Sequence, residues 1–297
     1  MNELNAPTPG SRVYPNLPQA FGLLGIVILL LTLLSVPIQF IGTALEFSAA
    51  QQPLVLAIAN TVAIGLTLLW GVKRANASWR EIFPLTPINS SLLLPMMLTI
   101  IGMNILLSEC DNLLRLVLPV PEWLADLMKG LFDPSKGIWA SVLALVIVAP
   151  VTEELLFRGL ILRGLLGNFT VRQALLFSAL LFALLHMNPW QFISAAIAGV
   201  LFGWWFVETR SLWPCLFGHA LHNGLPVIAI SLLQLEIPGY TTELTSTVEF
   251  QPLWFDALGV ILTFAGISLT KNHFQKLREA RAESTNTFFR DSGPTPR

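Results

Sequence analysis

Residues 138–163 read IWASVLALVIVAPVTEELLFRGLILR, and the apolar run does not end where its acidic pair begins. From Ile138 to Val148 only Ser141 is polar. Glu153 and Glu154 follow, Arg158 stands four residues on, and apolar sequence resumes at Leu160. The stretch exceeds the roughly 20 apolar residues that a helix needs to cross a hydrocarbon core. An ionisable residue near the bilayer centre costs about 2.5–3.5 kcal/mol on insertion scales, so each is a functional candidate by default. This one segment predicts a membrane-spanning helix with charges held inside it.

The rest of the chain agrees. Of 297 residues 54% are hydrophobic and 12% charged, about half the charge usual in soluble domains. The class is an all-α, polytopic transmembrane bundle, and nothing in the composition suggests nucleic-acid binding. Apolar runs predict about eight spans, near 20–44, 52–73, 91–110, 137–163, 172–188, 190–208, 212–234 and 252–271. The fifth and sixth are short and joined by Met187-Asn188-Pro189, as in a hairpin. Residues 1–19 read as a flexible N-terminal segment, 20–271 as the bundle with its chemistry at 138–235, and 272–297 as a cytoplasmic tail. The first run is too long for a signal-peptide core and lacks a small-x-small cleavage site, so it reads as a retained span.

Charge orients these spans, because cytoplasmic loops are enriched in Lys and Arg. With both termini inside, the inner segments hold Arg12, Lys73, Arg74, Arg80, Arg163, Arg172 and Arg210, then Lys271, Lys276, Arg278 and Arg281. The outer loops hold Arg115, Lys129 and Lys136 against Glu109, Asp111, Glu122, Asp126 and Asp133, and the last holds only Glu236, Glu243 and Glu249. Cys110 and Cys215 fall on opposite sides, so no structural disulfide is expected. Residues 122–132 carry an apolar stripe of Trp123, Leu124, Leu127, Met128, Leu131 and Phe132, the pattern of a helix lying on the outer interface or packed on the bundle. Gly199 and Gly203 form Gly-x-x-x-Gly, which permits close helix approach.

Two further runs are interrupted by polar groups. His186 closes Ala174–Leu185, while His219, His222 and Asn223 break Leu216–Ile230. At about 1.5 Å per residue from the inner arginines, Glu153 lies about 15 Å deep, His186 about 21 Å, His219 about 14 Å and Asn223 about 20 Å. Polar residues on three helices thus share one slab, which predicts a single site. Glu154 and Arg158, at i and i+4 with the acid first, suit an ion pair. Glu153 points about 100° away from that pair and remains free as a general base. Asn223 only donates or accepts hydrogen bonds, which suits an oxyanion site. Each group also has a structural reading, as an interior ion pair, a satisfied histidine or an interhelical bridge, and for His222 the two readings stay open.

These residues resemble the CPBP family, the membrane proteases that include the type II CAAX prenyl endopeptidases. The family pattern Glu-Glu-x-x-x-Arg, Phe-x-x-x-His and His-x-x-x-Asn stands here as Glu153-Glu154-Leu-Leu-Phe-Arg158, Phe182-Ala-Leu-Leu-His186 and His219-Ala-Leu-His-Asn223. The resemblance covers roughly residues 138–235. It implies an intramembrane endopeptidase acting on a membrane-embedded or lipid-anchored peptide, with a conical cavity open to the cytoplasm and to lipid. It implies that Glu153 and His186 activate water, that His219 and Asn223 stabilise the oxyanion, and that Glu154 and Arg158 support them. No cofactor is favoured, since the His-Glu-x-x-His zinc helix is absent. A zinc site from Glu153, His186 and His219 stays open. The expected setting is the plasma membrane. The competing readings are a proton- or ion-coupled transporter, for which matching broken helices are missing, and a non-catalytic scaffold member of the same family.

Overall fold

The computed structural model describes residues 13–44, 52–132, 138–242 and 248–291, so Arg12, Asp133, Lys136 and Glu243 lie outside the described residues. Among those described the secondary structure is helical, with no strand. The helices are α1 (Leu17–Ala44), α2 (Pro53–Ala75), the short α3 (Trp79–Ile82), α4 (Leu93–Val117) and α5 (Glu122–Phe132). A long α6 then runs over Ile138–Leu166. It is followed by α7 (Val171–Leu185), α8 (Pro189–Thr209), α9 (Trp213–Leu232) and α10 (Leu253–Asp291).

Seven of these, α1, α2, α4, α6, α8, α9 and α10, are long and apolar enough to cross a membrane. The eighth expected span, α7, has 15 residues, about 22 Å of helix. Its shortness follows from its ends. Thr170 and Gln173 form a capping box that fixes the start, satisfying amides that the first turn leaves orphaned. At the other end Met187 takes a left-handed backbone conformation and Asn188 caps α8, its side chain accepting from the Trp190 amide. Pro189 opens α8, where its missing N–H costs nothing. The α7–α8 hairpin therefore turns just after His186.

Two helices run past the expected boundaries. α4 continues to Val117 because its polar last turns find partners: Asn112 donates to the Gly239 carbonyl at 2.7 Å, and Glu109 accepts from the Gln251 amide at 3.1 Å. α10 continues to Asp291, carried by Gln275 donating to Glu279 and by an Arg278–Glu208 pair. The expected tail thus begins as helix.

The ends of the bundle differ. At one end Ser211 donates to the Thr86 carbonyl, Asn168 to the Val13 carbonyl, and Arg278 to Glu208. Lys73, Arg74, Arg80, Arg163, Arg172 and Arg210 cluster in the helix termini and turns there. The other end gathers the 118–121, 187–188 and 233–242 connections, tied by Trp190 donating to the Leu118 carbonyl at 2.7 Å. There α5 packs on the bundle with Leu124 buried and Trp123 exposed. The Gly-x-x-x-Gly of α8 serves internal packing, since a Cβ on Gly199 would fall 2.8 Å from the Ala179 backbone of α7. Cys110 is exposed, Cys215 is buried and both are free.

Candidate active site

α6 is not a regular helix. It winds as a π-helix over Val142–Val148 and again over Leu155–Leu162, on either side of the glutamates. Pro150 is one physical reason. The Leu145 carbonyl, in the wide register, would need the amide that Pro150 lacks, and the Ala149 amide is already given to Ala144. Asn223 of α9 fills the vacancy, donating from Nδ2 to the Leu145 carbonyl at 2.9 Å. Breaks of this kind are frequent at functional sites.

On the next turns the ion pair expected between Glu154 and Arg158 is present and fully buried, with Oε1 2.9 Å from Nη1. Its extent is larger than the spacing implied. The same Glu154 Oε1 lies 2.7 Å from Nδ1 of His219. Arg158 also donates to the Gly199 carbonyl at 3.2 Å and stacks against the rings of Phe182 and Phe202. The network joins α6, α7, α8 and α9, and replaces water around a charge that hydrocarbon would reject.

The network orients the ring. With Nδ1 held by the Glu154 carboxylate, His219 turns Nε2 towards Glu153. Glu153 Oε2 lies 3.9 Å from that Nε2, beyond direct hydrogen-bond reach. This oxygen is buried and has no hydrogen-bond partner among the described residues. His186 gives Nδ1–H to the Phe182 carbonyl at 2.9 Å, leaving its own Nε2 available. Phe182 lies edge-on to both imidazoles, and Phe202 stacks on His219. The phenylalanine that opens the Phe-x-x-x-His motif thereby gains a reason: one ring packs on both histidines and the arginine.

His186, His219, His222 and Asn223 wall one cavity of about 70 Å³. Glu153 sits beside His219 rather than in the lining, its Oε2 3.9 Å from the His219 Nε2. His222 proves to be held as well: its Nδ1 accepts from Asn104 Nδ2 of α4 at 2.7 Å. Asn104 was missed from sequence, although an asparagine inside the apolar run of α4 is a signal of the same kind as the others. Among the described residues no three His, Cys, Asp or Glu side chains converge as a metal site. The zinc set Glu153, His186 and His219 does not converge as a metal site as placed.

A larger cavity of about 240 Å³ lies next to it, with Gln191, Ser194 and His222 lining both. Its outer walls are Ser108, Asp111, Leu124, Met128 and Thr241. These belong to the end of the bundle opposite the basic cluster. A separate apolar groove of about 660 Å³ runs between α4, α8 and α10 on the side of the bundle.

Residues 135–225 match the family model described as Type II CAAX prenyl endopeptidase Rce1-like, a range that contains all three motifs. A Bacillus subtilis (strain 168) protein described as "Putative membrane peptidase YdiL" is 25% identical over 108 residues. That match covers 36% of this chain and 43% of the relative, so the chain spans less than half of that protein's length in the comparison. No solved structure matches.

Proposed function

We propose that the chain, which carries an Rce1-like type II CAAX prenyl endopeptidase region over residues 135–225, is an intramembrane endopeptidase of the cell membrane. Its substrate is a membrane-embedded or lipid-anchored polypeptide. The observation that carries this reading is the unpartnered Glu153 oxygen 3.9 Å from a histidine that a second glutamate holds through Nδ1.

In the proposed reaction Glu153 takes a proton from water, while His186 Nε2 accepts that water's other hydrogen and aims the oxygen. The C–O bond forms as the carbonyl π pair moves onto oxygen. His219, held through Nδ1 by Glu154, presents Nε2–H to that oxyanion together with the second N–H of Asn223. Collapse breaks the C–N bond, and the proton held on Glu153 passes to the departing amine. Glu154 and Arg158 position His219 and do not touch substrate.

The test is cleavage of a membrane-anchored reporter by purified protein in detergent. Glu153→Gln keeps the shape and removes the base, which typically costs about 10²–10⁴-fold in rate. The expected result is that loss with an unchanged melting temperature, and wild-type turnover by the variant would sink the assignment. In the same assay chelator is expected to leave the wild type active. One tightly held zinc per chain, lost in His186→Ala and His219→Ala, would replace the metal-free mechanism and leave the peptidase reading in place.

A further inference from the structure

Glycines set the register of α4 against α10. A Cβ on Gly102 would meet the Thr263 nitrogen and one on Gly266 the Thr99 nitrogen, each at 2.5 Å, while one on Gly259 would meet Ile105 at 2.9 Å. The helices are thus antiparallel, and each step along α4 is matched by an equal step back along α10. One turn past the pairing of Ile105 with Gly259, the same register brings Glu109 opposite Asp256, in the first turn of α10. Charge on either carboxylate is felt at the other.

Gln251 closes over the same place and is only 5% exposed. Its backbone amide donates to Glu109 Oε2 and its Nε2 to the Ile105 carbonyl, both at 3.1 Å. The side chain therefore lies along α4 between Ile105 and Glu109, on the face that Asp256 fronts. Gln251 Oε1 and Asp256 Oδ1 are both buried there, with no hydrogen-bond partner among the described residues.

Two acids and an amide oxygen thus meet without a neutralising cation. Glu109 is served by neutral donors, the Gln251 amide and Asn112 Nδ2 at 2.9 Å. Arg115 turns instead to Asn112 at 3.5 Å and Asp111 at 4.0 Å. Facing like charges repel strongly where the dielectric is low, and each buried oxygen without a donor adds its desolvation cost. A bound cation removes both penalties. The donors are all hard oxygens, which suits calcium, with water completing its six to eight ligands. Zinc would want nitrogen or sulfur, and the nearest thiol, Cys110, lines the apolar groove instead.

We propose that Glu109, Asp256 and the side-chain oxygen of Gln251 form a calcium site that clamps the start of α10 onto the last turns of α4. None of the three lines the histidine cavity. Glu109 stands five residues beyond Asn104 on α4, about 8 Å along the axis. The site is structural and does not depend on the peptidase reading. Two carboxylates make it a weak one, in the range of about 10⁻⁴–10⁻³ M found for extracellular calcium modules.

The test is melting of the purified full chain in detergent, with calcium chloride against sodium chloride of matched ionic strength. Calcium at about ten times its dissociation constant is expected to raise the wild-type melting temperature by about 2–4 °C. Magnesium gives up its water reluctantly and is expected to do much less. Asp256→Asn removes one ligand and the repulsion together. It is expected to melt at or above the calcium-free wild type and to ignore calcium. Glu109→Gln is expected to ignore calcium too; its carboxylate also accepts two hydrogen bonds, so if that variant fails to fold, Asp256→Asn decides.

Direct binding is read with terbium, a luminescent stand-in for calcium that the indole of Trp254 can sensitise from two residues away. Emission that calcium competes off in the wild type, and that Asp256→Asn lacks, supports the site. A wild type that does not respond to calcium overturns the proposal, as does an equal rise with magnesium. So does an equal calcium response, or retained terbium emission, in Asp256→Asn.

Discussion

The contact between α4 and α10 is built from small residues, whereas that joining α6, α7 and α9 is built around buried charge. On α4 and α10, a Cβ on Gly102 would fall 2.5 Å from the Thr263 backbone nitrogen, and one on Gly266 would fall 2.5 Å from the Thr99 nitrogen. Around α6, Glu154 is shared by Arg158 and His219. Lipid tails are as apolar as leucine, so helices in a bilayer gain little from burial alone. One contact answers this with backbone approach and dispersion. The other answers with Coulomb attraction, which is strong at low dielectric and turns unfavourable when one partner is lost. The first is tolerant and inert; the second is fragile and also holds a histidine ring in place.

The largest break in this comparison is Arg158→Ala. Removing one partner of a buried pair strands the other at about 3–5 kcal/mol. Melting in detergent is expected to fall by an amount of that order, and activity with it, because Glu154 no longer holds His219 in place. An inactive variant with unchanged melting would move Arg158 from support into the chemistry.

Asn223→Ala sharpens the comparison next, since that residue bridges α6 and α9 within the second contact. If its second N–H meets the oxyanion, the loss is about 2.7–4 kcal/mol of transition-state stabilisation with substrate affinity little changed. Its first N–H already serves the Leu145 carbonyl, so a small fall in stability accompanies the rate loss. A fall in stability with kcat intact would confine Asn223 to bridging α6 and α9.

Gly102→Ala probes the inert contact. The new methyl meets backbone atoms of α10 at 2.5 Å, which cannot rotate away. Overpacking of this kind costs about 1–3 kcal/mol. Stability is expected to drop while kcat per folded molecule stays unchanged. A comparable loss of kcat would show that α4 and α10 transmit strain to the site.

The sequence made the spans legible because apolar length is a direct response to the bilayer, and three polar breaks at one depth pointed to Glu153, His186, His219 and Asn223. What it did not show has physical causes. Helical spacing relates Glu154 to Arg158 on one helix, but the bond to His219 crosses 65 positions and depends on how α6 and α9 pack. The π-turns arise from Pro150 together with a distant amide, so no local pattern gives them away. Asn104 was legible and passed over: a lone amide in a membrane span has few reasons to be there.

Asn104 is also where the two contacts meet, because it stands on α4, among the residues packed on α10, and donates to His222 of α9 at 2.7 Å. Interhelical hydrogen bonds in membranes average about 0.6 kcal/mol and reach about 1.7. Asn104→Leu keeps the volume close and removes the donor. If His222 only forms cavity wall, the variant loses about that much stability and cleaves at the wild-type rate, and this is the expected outcome. His222 Nδ1 would then lack the Asn104 partner and the ring would be free to turn further into the cavity. A tenfold fall in kcat with unchanged melting would instead place His222 beside His186 and His219 in the reaction. In that case α4 would be part of the catalytic framework, and the division between an inert contact and a reactive one would fail at this residue.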